Sequence, residues 1–171
     1  MKRLLSIAFL FILAALVGAQ GDGPRVTPAQ QAAMLEKNRD LMKITIQSGL
    51  DLTEDPGPLE RALTCTKLAS EWSKAIRVAA SGKDTARVRE LGGLFETVVT
   101  KGVVVNLEQA RSNIKAGSKE ELELIQQRDA AIKVLDSLED DLRGPQEFEA
   151  VVKGIHAGRD KLNKATKLDK R

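Results

Sequence analysis

The sequence has few of the residues from which most enzyme centres and cross-links are built. It contains one histidine, one cysteine, one tryptophan and no tyrosine among 171 residues, and only 3% of the chain is aromatic. A single histidine does not assemble an ordinary zinc centre, and a single cysteine cannot form a disulfide within the chain. We also find no phosphate-binding glycine motif, nucleophile elbow or His-Glu-x-x-His helix. We therefore predict no catalytic, metal or cofactor site, and a protein that is not an enzyme.

Charge and composition indicate one soluble domain made of helices. The chain is 42% hydrophobic and 30% charged, and its apolar residues are mostly aliphatic, which is typical of helices packed on helices. It carries 27 basic and 24 acidic side chains. Lys2 and Arg3 belong to the N-terminal segment discussed next, and without them 25 basic residues stand against 24 acidic ones. This near balance predicts no nucleic-acid partner.

The first nineteen residues have the three parts of a signal peptide. Lys2 and Arg3 provide a basic start, Leu4 to Val17 form an apolar run, and Val17-Gly18-Ala19 is a small-residue cleavage site. The apolar run is too short to span a bilayer comfortably. We predict a cleaved signal peptide over residues 1–19, export to the bacterial periplasm or beyond, and no stable membrane span afterwards; the alternative is an uncleaved anchor. Residues 20–26 are expected to form a flexible lead.

A helical hairpin in the middle of the chain is the predicted centre of the fold. Apolar residues recur at steps of three and four over Pro58–Ala80 and again over Thr85–Lys101, which draws one stripe along each of two helices. The short link folds them antiparallel, with Gly82 ending the first helix and Asp84 capping the second. The two stripes consist of Ala62, Cys65, Ala69, Trp72, Ile76 and Ala79, and of Val88, Leu91, Phe95 and Val98.

Helical patterns continue on both sides of this hairpin. Thr27 and Pro28 start a helix that should run to about Ser48, with an apolar side that includes Ile46. Beyond Gly102 the helical spacing is read either as a kinked continuation of the hairpin or as a separate short helix. The other apolar positions of the first helix are Met34, Leu35, Leu41 and Met42.

Two more amphipathic helices are predicted in the C-terminal part. Ser118-Lys119-Glu120-Glu121 is a capping box that opens the first of them, and Gly144-Pro145 ends it and starts the second. The fold class is therefore all-α: a bundle of five to six antiparallel helices with short links over residues 27–163, followed by a basic tail over 164–171. The predicted buried residues are Ile125, Ala131, Ile132, Leu135, Leu138 and Leu142, and then Phe148, Val151, Val152, Ile155 and Leu162.

Single residues that could carry chemistry also fit the core. Cys65 lies among alanines on the first stripe and is expected to be a buried small hydrophobe; the alternative is a reactive thiol or an intermolecular bridge. Trp72 is expected in the core, and alternatively at the floor of a ligand pocket. His156 is the only histidine, so we predict neither an ordinary zinc centre nor a Cys–His nucleophilic pair. Gly92-Gly93 indicates a close helix approach or a bend, or else a groove for a partner.

Charged clusters are interpreted as solvated helix faces. Two of them are acidic and could bind a divalent cation only if their oxygens converged. The C-terminal one is basic and is interpreted as a solubilising terminus; the alternatives are binding to anionic lipid, to cell-wall polymer or to an acidic protein. The acidic clusters are Glu120, Glu121 and Glu123, and Asp136, Glu139, Asp140 and Asp141; the basic one is Lys161, Lys164, Lys167, Lys170 and Arg171.

The middle third of the chain carries several short motifs in a fixed order. Asp55-Pro56-Gly57-Pro58-Leu59-Glu60-Arg61-Ala62 leads to Cys65-x-x-Leu68-Ala69, then to Ala86-x-x-x-Glu90-Leu91-Gly92, and then to Lys101-Gly102-Val103 and Asn106-Leu107. This order resembles a family of exported bacterial helical proteins of uncharacterised function. That family has a tighter Asp-Pro-Leu, so Gly57-Pro58 resembles an insertion in this chain. The resemblance implies an all-helical envelope protein and carries no catalytic residue over.

A second, shorter motif lies at the start of the first helix. Val26-Thr27-Pro28-Ala29-Gln30 is similar to the Leu-Thr-x-x-Gln signature of periplasmic stress chaperones and metal-resistance sensors, with valine for leucine and one copy in place of two. The expected function is a non-enzymatic protein-interaction or regulatory module of the bacterial cell envelope. Its expected partner is another envelope protein, and weak homo-oligomerisation is also considered. The alternative is a periplasmic chaperone or envelope-stress sensor, which predicts an exposed apolar groove.

Overall fold

The computed structural model describes residues 27–54 and 56–167, and every regular element among them is a helix. The predicted signal peptide and flexible lead lie outside the described residues, as does the end of the basic tail. The predicted all-α bundle is confirmed. Its elements are α1 (Pro28–Thr53), α2 (Pro58–Ser81), α3 (Thr85–Thr97), a π-helical segment (Val98–Val104), α4 (Val105–Ser112), α5 (Lys119–Leu142), a 3₁₀ turn (Gln146–Phe148) and α6 (Glu149–Ala165).

The chain divides into two compact units, residues 1–42 and 43–171, and the boundary lies within α1. Of the first unit, the described residues form the N-terminal part of this helix. In the second unit, α1 continues through Gly49 and ends at Thr53, whereas the sequence predicts an end near Ser48. One glycine inside a helix costs only about 0.5–1 kcal/mol, so Gly49 does not have to end it. The hydroxyl of Thr53 donates a hydrogen bond to the carbonyl oxygen of Leu50 at 2.6 Å.

Helix α2 is the element around which the second unit is built. It contacts α3, the π-helical segment, α4 and α5. The predicted turn after it is confirmed: Gly82 follows its last residue, and the Asp84 side chain accepts a hydrogen bond from the backbone N–H of Arg87 at 3.1 Å. Its buried apolar side is the predicted stripe with Leu68 added, namely Ala62, Cys65, Leu68, Ala69, Trp72, Ile76 and Ala79.

The chain continues from Thr85 to Ser112 as one helical rod, because the π-helical segment joins α3 to α4 without a break. Thr97 and Val105, on either side of the segment, keep right-handed helical angles, with φ of −63° and −61°. Buried residues follow one another along this rod at four successive steps of four. Four residues of an α-helix turn through about 400°, which is about 40° more than one full turn, so residues four apart drift around the helix. A π turn contains more residues and cancels this drift. Those residues are Leu91, Phe95, Val99, Val103 and Leu107, so Val99 is buried where the sequence predicts Val98.

Arg61 ties the start of α2 to the start of α4, next to the π-helical segment. Its Nε donates to Asn106 Oδ1 at 2.8 Å, and its Nη1 donates to the carbonyl oxygen of Pro56 at 2.7 Å. Asn106 is buried, and its Nδ2 donates to the carbonyl oxygen of Gly102 at 2.7 Å. A Cβ at Gly102 would lie 2.8 Å from Cys65 Sγ, so only glycine lets the rod approach α2 this closely. A close helix approach is therefore present at Gly102, in addition to the one predicted for the Gly92-Gly93 pair, where it involves Gly92 alone.

The C-terminal helices complete the bundle. At the start of α5, Ser118 Oγ accepts a hydrogen bond from the backbone N–H of Glu121 at 3.3 Å, as the capping box predicts. Leu124 is buried in this helix, whereas the predicted Ile125 is only partly buried. Helix α6 extends to Ala165, so the predicted domain end at 163 lies within it. Arg111 Nη1 donates to the carbonyl oxygen of Lys167 at 2.7 Å and ties α4 to the end of α6.

The two adjacent glycines of α3 have different surroundings. A Cβ at Gly92 would lie 2.6 Å from Val151 Cγ2 on α6, which is far inside van der Waals contact. A Cβ at Gly93 would meet nothing within 4 Å. The packing interpretation of this pair therefore holds for Gly92, where α3 approaches α6, and Gly93 is exposed.

We expect Gly92→Ala to destabilise the protein although alanine is the better helix former. The added methyl group would clash with the branched side chain of Val151, and such overpacking costs about 1–3 kcal/mol. Gly93→Ala adds the same group in open space and should raise stability by about 0.5–1 kcal/mol. Urea unfolding of both variants measures the difference. A Gly92→Ala protein as stable as the Gly93→Ala control would contradict the close contact.

Candidate functional site

A cluster of charged side chains lies where α5 faces α6. Helical spacing places Asp136 and Glu139 on one side of α5, three residues apart, and Arg143 directly follows the last residue of that helix. On α6, His156 and Arg159 are three residues apart and point towards them. Asp140 completes the rim of a shallow, open depression of about 390 Å³ at this place. The cluster thus joins an acidic group that the sequence analysis assigned to solvent with the only histidine of the chain.

The carboxylate of Glu139 is the centre of the cluster. Only 8% of this residue is exposed. Its Oε1 lies 3.1 Å from His156 Nε2 and accepts a hydrogen bond from Arg143 Nη2 at 3.0 Å. Its Oε2 accepts from Arg159 Nη2, which also lies 2.5 Å from Asp136 Oδ1. The interpretation of Glu139 as part of a solvated face is therefore wrong.

The electrostatics of Glu139 follow from these donors. The hydrogen bonds from His156 and Arg159, with a smaller contribution from Arg143, lower the pKa of its carboxyl to about 2, although burial opposes the charge. The carboxylate is thus ionised at neutral pH, and both of its oxygens accept hydrogen bonds. It is suited to holding α5 and α6 together, and it is not suited to act as a general acid.

His156 is the one group of the cluster that could transfer a proton. Its side chain is 52% exposed, and a neutral ring that donates from Nε2 leaves Nδ1 as an acceptor. A carboxylate-oriented imidazole is half of a general-base arrangement, but it needs a nucleophile beside it. The hydroxyl of Ser137, which follows Asp136 in the chain, instead accepts a hydrogen bond from Arg77 of α2 at 2.8 Å. The geometry is that of a clamp between helices.

The remaining candidates lie apart from this cluster. Cys65 is buried, and burial raises the pKa of its thiol to about 11, which keeps it protonated and unreactive at neutral pH. Trp72 is 4% exposed, which fits the core interpretation, and its buried Nε1 has no hydrogen-bond partner. Glu121 belongs to the cap of α5, where its Oε2 accepts from the backbone N–H of Gly117 at 2.5 Å. Within the described ranges, no group of three or more potential ligands could hold a metal ion.

Exposed apolar side chains form a second candidate site on α1. Four large hydrophobic residues are exposed among those described: Ile46, Leu50, Val78 and Leu122. Ile46 and Leu50, at 48% and 55% exposure, are four residues apart on one helix and therefore share a face. Ser48, on the opposite side of α1, is buried. The predicted apolar side of this helix is thus only partly correct, because Ile46 faces solvent.

No protein-family model, curated protein or solved structure matches the chain. The resemblances to exported helical proteins and to periplasmic stress chaperones therefore stay predictions. None of the described helices has both the length and the apolar character that a membrane span requires.

The Glu139 clamp predicts a specific loss of stability in acid. The pKa of this carboxyl is about 2 in the folded protein against an ordinary 4.5, so its stabilising effect is complete above about pH 4.5 and disappears as the pH falls towards 2. Glu139→Gln should lower stability at neutral pH and reduce its dependence on pH over that window. Urea unfolding at about pH 6 and about pH 3 measures both effects.

The matched control is Glu147→Gln, at an exposed position of the 3₁₀ turn, which makes the same change of charge outside the cluster. It should keep the wild-type pH dependence. If Glu139→Gln lost as much stability in acid as the wild type does, the clamp would not be the cause.

Proposed function

We propose that this chain is a non-enzymatic protein-interaction module of the bacterial cell envelope, and that it binds through α1. The observation that carries the proposal is the exposed pair of Ile46 and Leu50 on one face of that helix. Aliphatic side chains four residues apart are typical anchors where one helix docks on another protein. A second aspect of the geometry agrees with a binding role. Arg143, His156 and Arg159 all contact the carboxylate of Glu139, which supports a structural role for the α5–α6 cluster over a substrate site.

The chaperone alternative has less support in the described part of the chain. It predicts an apolar groove, since a holdase must cover hydrophobic segments of its clients. The depression between α5 and α6 is lined by Asp136, Glu139, Asp140, Arg143 and Arg159, all of which are charged. Ile46 and Leu50 form a narrow contact, which fits a defined partner better than a range of unfolded chains.

Export is part of the proposal and has its own test. The order of a basic start, an apolar run and a small-residue site in residues 1–19 is the support for it. Expression in a bacterium followed by fractionation should give an envelope product whose N-terminal residue is Gln20. Intact-mass measurement identifies this residue. A cytoplasmic product that begins at Met1 would contradict export.

The binding role predicts that Ile46→Asp abolishes capture of a partner without unfolding the protein. A charge at the centre of an apolar contact should weaken binding by about tenfold or more, because buried anchors carry much of an interface's energy. Immobilised protein is incubated with envelope extract, and the captured proteins are quantified by mass spectrometry. The matched control is Val78→Asp, which replaces an aliphatic residue that is 68% exposed on α2.

Both variants should melt at the wild-type temperature, because both substitutions lie at exposed positions. The proposal requires a protein that the wild type and Val78→Asp capture and that Ile46→Asp does not. Capture that is equal for all three proteins would exclude α1 as the binding surface.

A further inference from the structure

The end of α4 and the end of α6 bring a group of cations together. Arg111 Nη1, on α4, donates to the carbonyl oxygen of Lys167 and lies 3.5 Å from that of Lys164. The backbone N–H of Lys167 also donates to the Lys164 carbonyl oxygen, at 3.3 Å. Lys161 is three residues before Lys164 and therefore its neighbour on the helix surface. We call Arg111, Lys161, Lys164 and Lys167, with Lys115 in the link four residues beyond Arg111, the basic surface.

The cations of the basic surface are not neutralised by acidic partners. Nearer the start of α6, Lys153 lies 2.8 Å from Glu149, and Arg159 pairs with Asp136 and Glu139. In contrast, none of the five residues of the basic surface forms an ion pair with an acidic side chain of the described ranges. Its four lysines are exposed, and its arginine is half-buried.

The acidic residues close to the basic surface do not balance its charge. Two exposed ones, Glu108 and Asp160, lie within the same turns of α4 and α6, so five cations stand against two anions. Glu123, from the acidic start of α5, lies on the α2 side of that helix. It is about five full turns before Asp141, which pairs with Arg77 of α2 at 2.5 Å. The α4–α6 side therefore keeps an excess of positive charge.

The position of Arg111 adds to this excess. The last carbonyl groups of a helix form the negative end of its dipole, which repels an approaching anion. Arg111 bonds a carbonyl oxygen just past the end of α6, so its guanidinium counters the dipole there. The exposed lysines around it are thus presented on a helix end that carries no uncompensated negative charge.

We propose that the basic surface binds the anionic headgroups of a phospholipid bilayer, so that the protein associates with a membrane from one side. Each lysine or arginine near an anionic lipid surface strengthens binding by about fivefold. Four of the five cations are lysines, whose compact charges suit a layer of headgroups. The planar fork of arginine is the more typical group for holding one phosphate in a fixed geometry.

Nucleic acid fits the basic surface less well than lipid does. Single strands stack their bases on exposed aromatic rings, and the phenylalanine and tryptophan residues among those described are all buried. The near balance of basic and acidic side chains over the chain also provides no general attraction for a polyanion. The attraction is local, which suits a protein that touches a membrane with one end.

Co-sedimentation with lipid vesicles tests the proposal. The wild type should bind vesicles that contain phosphatidylglycerol more tightly than vesicles of phosphatidylcholine alone, and added salt should reduce the difference. The double variant Lys161→Gln, Lys164→Gln should bind the anionic vesicles about 25-fold more weakly, because it loses two cations at about fivefold each. The full chain is used for every variant, so that residues 1–19 contribute equally to each comparison.

The matched control is the double variant Lys67→Gln, Lys133→Gln. These lysines are exposed on α2 and α5, outside the basic surface, and their replacement changes the net charge by the same amount. This control should bind like the wild type. Lys161→Arg, Lys164→Arg keeps the charge and should also bind like the wild type. Circular dichroism melts check that the variants fold.

Several outcomes would overturn the proposal. One is equal weakening by the two pairs of glutamine substitutions, and another is equal binding of the wild type to both kinds of vesicle. A soluble polyphosphate tests the other class of anionic partner. If the wild type bound it more tightly than the anionic vesicles at equal phosphate concentration, the assignment to a membrane would be wrong.

This inference goes beyond the proposed function and uses a different surface. Ile46→Asp should bind the anionic vesicles like the wild type, because α1 is not part of the basic surface. Loss of protein capture in that variant together with unchanged vesicle binding would support both proposals. Vesicle binding that required Ile46 in place of the two lysines would overturn the role of the basic surface alone.

Discussion

The contact between α2 and the helical rod of Thr85–Ser112 is the constraint on which the bundle depends. It requires glycine at position 102, since a side chain there would occupy the space of Cys65 Sγ. The rod must also present its buried residues to α2 at four successive steps of four residues. The π-helical segment makes this alignment possible. Asn106 then bonds the Gly102 carbonyl, and Arg61 bonds Asn106, so the polar groups near the π turn are satisfied from both helices. Once this pair is formed, α5 and α6 have a fixed surface on which to pack.

The charged and apolar surfaces of the molecule have opposite roles. Glu139 contacts Arg143, which directly follows α5, and His156 and Arg159 on α6, so the clamp is formed within this chain. Ile46 and Leu50 are instead left uncovered on α1. A self-contained polar cluster contributes to folding, whereas an uncovered aliphatic pair lowers solubility unless something binds it. This contrast is why the proposed function is placed on α1 and the α5–α6 cluster is assigned to stability.

Periodicity alone predicts the fold class and most of the core, and its failures have identifiable causes. The stripe of α2 is correct because that helix is regular and faces neighbours along its whole length. Val98 is predicted in place of Val99 because a search for steps of three and four assumes a uniform α-helix, and the π-helical segment changes the phase. The meeting of His156 with Glu139 joins residues on two helices, and its position depends on how each helix is rotated about its axis. Spacing within one helix holds no information on that rotation. The exposure of Ile46 is not predicted for a similar reason: an apolar residue at helical spacing is assumed to pack against another helix.

The bond between Arg111 and the carbonyl of Lys167 has a consequence for the order in which the chain folds. The two residues are 56 positions apart, so the bond can form only after the long excursion through α5 and α6 has returned to the end of α4. The hairpin of α2 and α3, in contrast, closes a loop of a few residues and has a much lower entropic barrier. Formation of the fold is therefore expected to proceed from the hairpin outwards, with the contact at Lys167 among the last to close. A ribosome that still holds the residues around Lys167 would keep this last contact open while the hairpin is already in place.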